Sequence, residues 1–204
     1  MKNKLEVNEQ TLRGPVWLMQ PIPYFGESLE GGWVVEPKID GWRLQIVKHL
    51  SGKVKLWGRR LEKNPDWTDK LKQVTRLAGE ILPSGTLIDA ELYSTGGRRY
   101  IPSLFAKNPK ASPVIYLFDV IFYQGKFVGD LPLEERKKIL LKMTLKPPFY
   151  HVEFTPLVDL NRQLIEMVKR GHEGVVIKKL SSTYQLARDG PLATPDWRKI
   201  KPGR

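Results

Sequence analysis

Hydrophobic and polar positions alternate most regularly between Thr86 and Tyr93. Apolar residues occupy positions 88, 90 and 92, and the acids Asp89 and Glu91 lie between them. Successive side chains of an extended strand point to opposite faces, so this alternation predicts a half-buried strand. Both carboxylates are then expected on the same face.

Other segments predict further strands. The apolar run Val114 to Tyr123 is rich in β-branched and aromatic residues and predicts a central strand. Trp33 to Val35 predicts the end of a buried strand, Asp40-Gly41 a turn, and Arg43 to Leu50 the strand that returns from it. Further strands are predicted at 53–57, after the turn Ser51-Gly52, and at 175–177 and 197–201.

Apolar residues at helical spacing predict three helices. One runs from Trp67 to Ile81 behind Asp66 as its cap, and another from Leu160 to Arg170 behind Asp159. A third, Leu133 to Leu145, is expected to carry Arg136, Lys137 and Lys138 on its outer face. Hairpins interspersed with helices are typical of an α+β domain with antiparallel sheets.

The length and composition predict one globular domain over residues 1–204, with residues 1–30 as an irregular, Pro- and Gly-rich lead-in packed on it. The 34 Lys and Arg against 22 Asp and Glu leave a net charge of +12, which favours a polyanionic partner. No basic amphipathic segment of the membrane-surface kind is present, so nucleic acid is a better candidate than acidic lipid.

The residue counts also exclude several classes of protein. With no cysteine, neither a disulfide framework nor a thiolate metal site can form. The three histidines lack zinc-site spacing, and no apolar run has the length of a signal peptide or membrane span. We expect a cytoplasmic, nucleic-acid-associated monomer with no membrane partner.

The run Glu36 to Arg43 is the strongest candidate for chemistry, because it places Lys38 between acids and an arginine at a predicted turn. An amine attacks phosphorus only when it is unprotonated, and nearby cations or desolvation favour that form. A salt-bridged surface hairpin explains this octapeptide equally well.

The stretch from Lys38 to Arg43 resembles the KxDGxR signature of covalent nucleotidyltransferases, the superfamily of ATP-dependent DNA ligases, RNA ligases and capping enzymes. Five later segments resemble the family's other motifs, in the family's order: Trp57-Gly58-Arg59-Arg60, Asp89-Ala90-Glu91-Leu92, Tyr116-Leu117-Phe118-Asp119-Val120, Glu173-Gly174-Val175-Val176-Ile177-Lys178 and Trp197-Arg198-Lys199-Ile200-Lys201-Pro202. Gly58 stands where the family usually has serine, and Ala90 where it usually has glycine.

The resemblance implies the adenylation-domain (ATP-grasp-like) fold, in which two antiparallel sheets with flanking helices hold the nucleotide between them. It also implies an OB-fold domain with a further basic motif. No such OB-fold domain is contained in these 204 residues, so that domain or an equivalent partner chain is an expected partner.

The family's roles transfer to matching residues. Lys38 is implied as the nucleophile that forms lysyl-AMP, with Asp40 orienting its loop and Lys199 and Lys201 on the α-phosphate.

The remaining nucleotide contacts follow from the same resemblance. Glu36 is implied to read the adenine amino group, Phe118 to stack on the base, Glu91 to bind the ribose, and Arg43 and Arg59 to contact sugar and phosphate. Arg60 and Lys178 are less specific matches. A glycine-rich phosphate loop of the GxxxxGK[ST] kind is missing, so side chains must hold the phosphates.

Mg²⁺ is the implied metal, with Glu173 helping to place it. Asp89 and Asp119 are expected to act on the metal through water, or else to be structural hydrogen-bond acceptors.

The implied function is the catalytic core of an ATP-dependent DNA ligase, which transfers AMP to the 5′-phosphate of a nick in duplex DNA for strand sealing in repair, recombination and replication. Arg43 favours ATP over NAD, because NAD-dependent ligases lack that arginine. An RNA ligase adenylation domain is the alternative within the superfamily, and a catalytically silent nucleic-acid-binding module is the alternative of another class.

Overall fold

Two β-sheets pack face to face at the centre of the protein, in a computed structural model that describes residues 12, 14–187 and 189–203. The five-stranded sheet has the order β1-β11-β10-β2-β9, where β1 is Met19–Pro23, β11 Leu192–Ile200, β10 Val175–Lys179, β2 Trp33–Pro37 and β9 Thr155–Pro156. Its pairings are antiparallel except for the parallel pair β1 and β11.

The second sheet has six strands. Its order is β4-β3-β5-β6-β7, with β8 also beside β6, where β3 is Trp42–Lys48, β4 Val54–Gly58, β5 Thr86–Ser94, β6 Pro113–Tyr123, β7 Lys126–Phe127 and β8 Phe149–His151. The strand predicted from the alternation at 86–93 is therefore confirmed as β5, paired with β3 and β6.

In the described part of the chain, the helices that flank the sheets are α1 (Lys72–Ile81), α2 (Leu133–Leu141) and α3 (Leu160–Lys169). Helices α1 and α2 pack on the outer face of the six-stranded sheet, where Ile88, Ala90 and Leu92 are fully buried. Helix α3 covers the outer face of the five-stranded sheet. The fold is thus α+β with two sheets and flanking helices, as predicted, and none of the helices in the described residues is long and apolar enough to cross a membrane.

The turn at Asp40-Gly41 does not close a hairpin, which corrects the sequence-based prediction. Strand β2 pairs with β9 and β10, whereas β3 pairs with β4 and β5. The chain passes from one sheet to the other immediately after Lys38. Local turn residues cannot reveal this, because hairpin and crossover share the same turn signals.

The segment predicted as an irregular lead-in contains β1, which pairs with the last strand of the fold. That partner lies far away in the chain, so local composition did not indicate it. Residues 1–11 and 13 of the predicted lead-in lie outside the described residues.

Helix α1 begins at Lys72, later than predicted. Asp66 closes a turn instead, accepting from the Thr68 N–H at 2.9 Å and from Lys55 at 2.7 Å. Helix α3 was predicted correctly: Asp159 caps it by accepting from the Arg162 N–H at 3.0 Å.

Helix α2 corrects another prediction, since Arg136 and Lys137 are buried rather than outward-facing. Only Lys138 of the three is exposed. Both buried cations have acidic partners on strands of the sheets, which the helical pattern alone does not show.

Candidate active site

A cavity of about 720 Å³ opens between the two sheets. This volume lies in the range of sites that enclose small organic ligands. Most of the predicted site residues line it: Glu36, Lys38, Asp40, Arg43, Arg59, Arg60, Glu91, Phe118, Glu173, Lys178 and Lys199. Asp89, Asp119 and Lys201 are not among the lining residues, although Lys201 reaches the site through Glu173.

Lys38 is fixed in place by main-chain contacts to a second loop. Its N–H donates to the Gly174 carbonyl at 2.9 Å, and its own carbonyl accepts from the Glu173 N–H at 3.2 Å. A Cβ atom at Gly174 would collide with the Ile200 carbonyl, so the close approach of Gly174 to strand β11 requires glycine there. The KxDG and EGxxxK segments are therefore held together by their backbones.

The ammonium groups of Lys38 and Lys201 both donate to the carboxylate of Glu173, one to each oxygen. The three side chains are partly exposed, at 21%, 44% and 25% respectively. Partial burial raises the pKa of Glu173. The hydrogen bonds from Lys201 and Lys38 lower it, and together they hold the pKa below its ordinary value. An anion that enters the cavity would meet two cations already gathered at one point.

Asp40 and Gly41 shape the turn after Lys38. Asp40 forms an ion pair with Arg98 at 2.6 Å, and Arg98 also donates to the Gly41 carbonyl at 3.1 Å. A Cβ atom at Gly41 would collide with the Leu92 carbonyl and the Glu91 side chain. Sequence reasoning missed Arg98, because an exposed arginine in a basic chain carries no signal of its own.

Glu36 and Phe118 line the cavity beside two buried lysines. Glu36 is 3% exposed and lies between two ammonium groups, Lys137 at 2.5 Å and Lys178 at 2.7 Å. The Lys178 ammonium also lies 4.5 Å from the centre of the Phe118 ring. Burial lowers the pKa of Lys178 to about 8, although the charge of Glu36 opposes the shift.

Asp89 has a structural role as a buried hydrogen-bond acceptor. It is fully buried, receives hydrogen bonds from Arg43, and accepts from the Tyr184 hydroxyl at 2.6 Å. Burial raises the pKa of Asp89, and the charge of Arg43 opposes this. The same contacts turn the Arg43 guanidinium inward, 4.8 Å from the Phe118 ring, so it supports that ring as well as lining the cavity.

Asp119 is also structural. It accepts two hydrogen bonds from the buried Arg136, at 2.8 and 3.0 Å. Burial raises the pKa of Asp119, but the charge of Arg136 lowers it and holds it below its ordinary value. Asp89 and Asp119 are thus each buried and engaged by an arginine, and neither lines the cavity.

Glu91 differs from these buried acids, because it lies at the cavity wall. Burial raises its pKa to about 7, although the Arg43 charge opposes the shift. Its carboxyl group is therefore poised between its two protonation states near neutral pH.

A basic rim borders the cavity on the other side. Arg59, Arg60 and Lys63 are exposed there. The glycine that departs from the family motif has a local cause: a Cβ atom at Gly58 would collide with the Trp67 ring. Trp67 thus occupies the space that a serine side chain would need.

Oxygen ligands for a metal are few. Within the described part of the chain, no group of three or more histidine and acidic side chains could hold an ion. Glu173 is the predicted metal-site carboxylate that lines the cavity and is partly exposed.

Comparisons with known proteins agree with this geometry. A family described as the ATP dependent DNA ligase domain matches residues 19–201. A DNA ligase of Methanothrix thermoacetophila is 31% identical, over 94% of this chain and 37% of that protein. A probable DNA ligase of Streptomyces coelicolor is 31% identical, over 84% of this chain and 35% of that protein. The chain therefore spans little more than a third of the length of these relatives.

Two solved structures share the fold. The mycobacterial DNA ligase D complexed with ATP and MES superposes with a TM-score of 0.67 at 22% identity, over 90% of this chain and 60% of that one. The Chlorella virus DNA ligase-adenylate gives 0.61 at 17% identity, over 90% and 67%. Since the family match extends over nearly the whole described chain, the protein belongs to the ATP-dependent DNA ligase domain family.

Proposed function

We propose that this chain is the adenylation core of an ATP-dependent DNA ligase, with Lys38 as the nucleophile. The observation that carries the proposal is the position of Lys38: its ammonium group lines a nucleotide-sized cavity and shares the carboxylate of Glu173 with Lys201. A surface hairpin would offer no such cavity.

In the first step the unprotonated Lys38 amine attacks the α-phosphorus of ATP. A nitrogen–phosphorus bond forms, the bond to pyrophosphate breaks, and the amine loses a proton to give lysyl-AMP. AMP then passes to the 5′-phosphate at a nick, and the 3′-hydroxyl displaces it to seal the strand. Positioning and charge neutralisation supply most of such a rate enhancement.

The walls of the cavity suit the parts of ATP. Glu36 and Phe118 lie together at one end, where an acceptor and an aromatic face can bind adenine. Glu91 is placed for the ribose hydroxyls. Lys199 and Lys201 bring two more ammonium groups to the site of Lys38, where they can bind the negatively charged phosphates.

Glu173 would hold Mg²⁺ at this site, because Mg²⁺ needs few protein contacts and prefers carboxylate oxygen. The ion would neutralise charge on the phosphates. Glu173 would then exchange its two lysine partners for the ion, and both lysines would turn to the phosphates. Asp89 and Asp119 take no part.

The nucleic-acid substrate is proposed to lie across the basic rim. Arg59, Arg60 and Lys63 are exposed beside the cavity, and the whole chain carries a net charge of +12. Phosphate contacts release counterions. The logarithm of the affinity for nicked DNA should therefore fall linearly with the logarithm of the salt concentration, with a slope of roughly −0.9 for each phosphate neutralised.

Incubation of the protein with ATP and Mg²⁺ tests the proposal. Intact-protein mass spectrometry should show the addition of one AMP, and peptide mapping should place it on Lys38. If ATP does not label the protein, a catalytically silent nucleic-acid-binding module is the better hypothesis. Labelling with GTP or NAD in place of ATP would move the chain to a different nucleotidyltransferase class.

A second assay separates DNA ligase from RNA ligase. Sealing rates are compared on nicked DNA, pre-adenylated nicked DNA and nicked RNA. Faster sealing of the DNA nicks is expected, whereas preference for the RNA nick would favour the RNA ligase alternative.

A further inference from the structure

Lys137 joins the two walls of the cavity at the end assigned to the base. Its ammonium group donates to the Phe118 carbonyl at 2.8 Å and lies 2.5 Å from a carboxylate oxygen of Glu36. The Phe154 ring lies 4.9 Å away on another side, and only 3% of the lysine side chain is exposed. One buried cation therefore touches the acid and the aromatic residue together.

These two contacts belong to different sheets. Glu36 is on β2 of the five-stranded sheet, and Phe118 is on β6 of the six-stranded sheet. Lys137 comes from α2, which packs against β6. A change at this one side chain would alter the position of the acid relative to the ring.

We propose that Lys137 is a positioning residue that sets nucleobase selectivity by holding Glu36 and Phe118 in one fixed arrangement. The inference rests on the proposed function, because it assigns the edge of the base to Glu36 and its face to Phe118. Lys137 touches neither the substrate nor the reacting atoms in this scheme.

The charges at this point explain why the selectivity favours adenine. Glu36 lies between the ammonium groups of Lys137 and Lys178, and carboxylate oxygens accept hydrogen bonds. Adenine presents an amino donor at its position 6, whereas guanine presents a carbonyl acceptor. An acceptor held in a fixed place can accept a hydrogen bond from adenine, whereas it faces the carbonyl acceptor of guanine without a hydrogen bond.

The neighbouring Lys138 provides a matched control. It has the same side chain on the same helix, but it is 61% exposed and pairs with Glu135 at the surface. K138Q and K137Q change the net charge equally, and glutamine at 137 still offers a donor to the Phe118 carbonyl.

The experiment measures equilibrium binding of non-transferable ATP and GTP analogues, and KM and kcat of labelling with ATP. K137Q should weaken binding of the ATP analogue about tenfold or more, lower the ratio of ATP to GTP affinity, and raise KM with little change in kcat. K138Q should leave all of these unchanged. An unchanged ratio in folded K137Q would overturn the inference.

A third variant shows whether Lys137 acts through Glu36. If it does, K137Q should cause little further loss of selectivity in an E36Q background, since the acceptor is already altered. Equal losses in both backgrounds would overturn the proposed route.

Folding of each variant is checked by thermal unfolding, and K137M is a second substitution at position 137. If K137Q and K137M both fail to fold, Lys137 is a structural residue only and the inference is overturned. A wild type that binds the ATP analogue selectively but takes no AMP would refute the proposed ligase chemistry while still testing Lys137. A wild type that binds neither analogue would refute both.

Discussion

Two groups of oppositely charged side chains in this protein differ in how far they are exposed to solvent. Arg136 and Asp119 form a pair with no exposed surface, enclosed between α2 and the sheets. Lys38, Glu173 and Lys201 form a cluster at the cavity with a fifth to nearly a half of each side chain exposed. The first group cannot exchange partners without leaving a buried charge unpaired, whereas the second can release its carboxylate to water, metal or phosphate. Exposure therefore decides which of these two groups can exchange its partners.

The largest effect is expected at Lys38. Lys38→Ala should abolish labelling by ATP while the unfolding transition stays close to that of the wild type, because the side chain is partly exposed and is proposed as a nucleophile. Mass spectrometry and thermal unfolding measure the two quantities. Residual labelling of this variant at full stoichiometry would remove Lys38 from the mechanism.

Arg136→Met should lower the free energy of unfolding by about 3–5 kcal/mol, because it leaves the buried Asp119 carboxylate without its partner. Denaturant unfolding measures the loss. Arg76→Met is the matched control: Arg76 is 63% exposed in a surface pair with Glu80, and the expected loss is below about 0.5 kcal/mol. Similar losses in the two variants would refute the distinction between the groups.

Lys199→Ala should weaken labelling by roughly 1.5–3 kcal/mol, the usual cost of one charge-assisted contact. Lys199 lines the cavity, so the loss should appear in labelling rather than in stability. Lys53→Ala, at an exposed position in the turn between β3 and β4, removes the same charge and should leave the labelling rate unchanged. A loss in both variants would point to net charge rather than to a local contact.

The last prediction concerns Glu91 and the pH dependence of stability. Burial raises its pKa from 4.5 to about 7, so the fold favours the protonated form. Its contribution to stability is therefore present below about pH 4.5 and is lost as the pH rises towards 7. Glu91→Gln lacks this group, and the difference in unfolding free energy between wild type and variant should change across that window. A constant difference would show that Glu91 ionises normally.

Local patterns predicted several of the elements and the motif residues. Strand β5 and helix α3 follow from alternation and from the Asp159 cap, because these signals act within a few residues. The motif resemblance likewise named most of the residues that line the cavity, because each motif is a short continuous segment.

Long-range packing decided the rest. Whether the strand after Lys38 returns to the same sheet or crosses to the other depends on partners distant in the chain, and the turn residues are compatible with both. The buried positions of Arg136 and Lys137 could not be predicted for the same reason. A helical pattern shows that two cations are adjacent, but not that acids from two distant strands neutralise them. A charge can be buried only where its partner is also brought, and that partner is supplied by the folded structure as a whole.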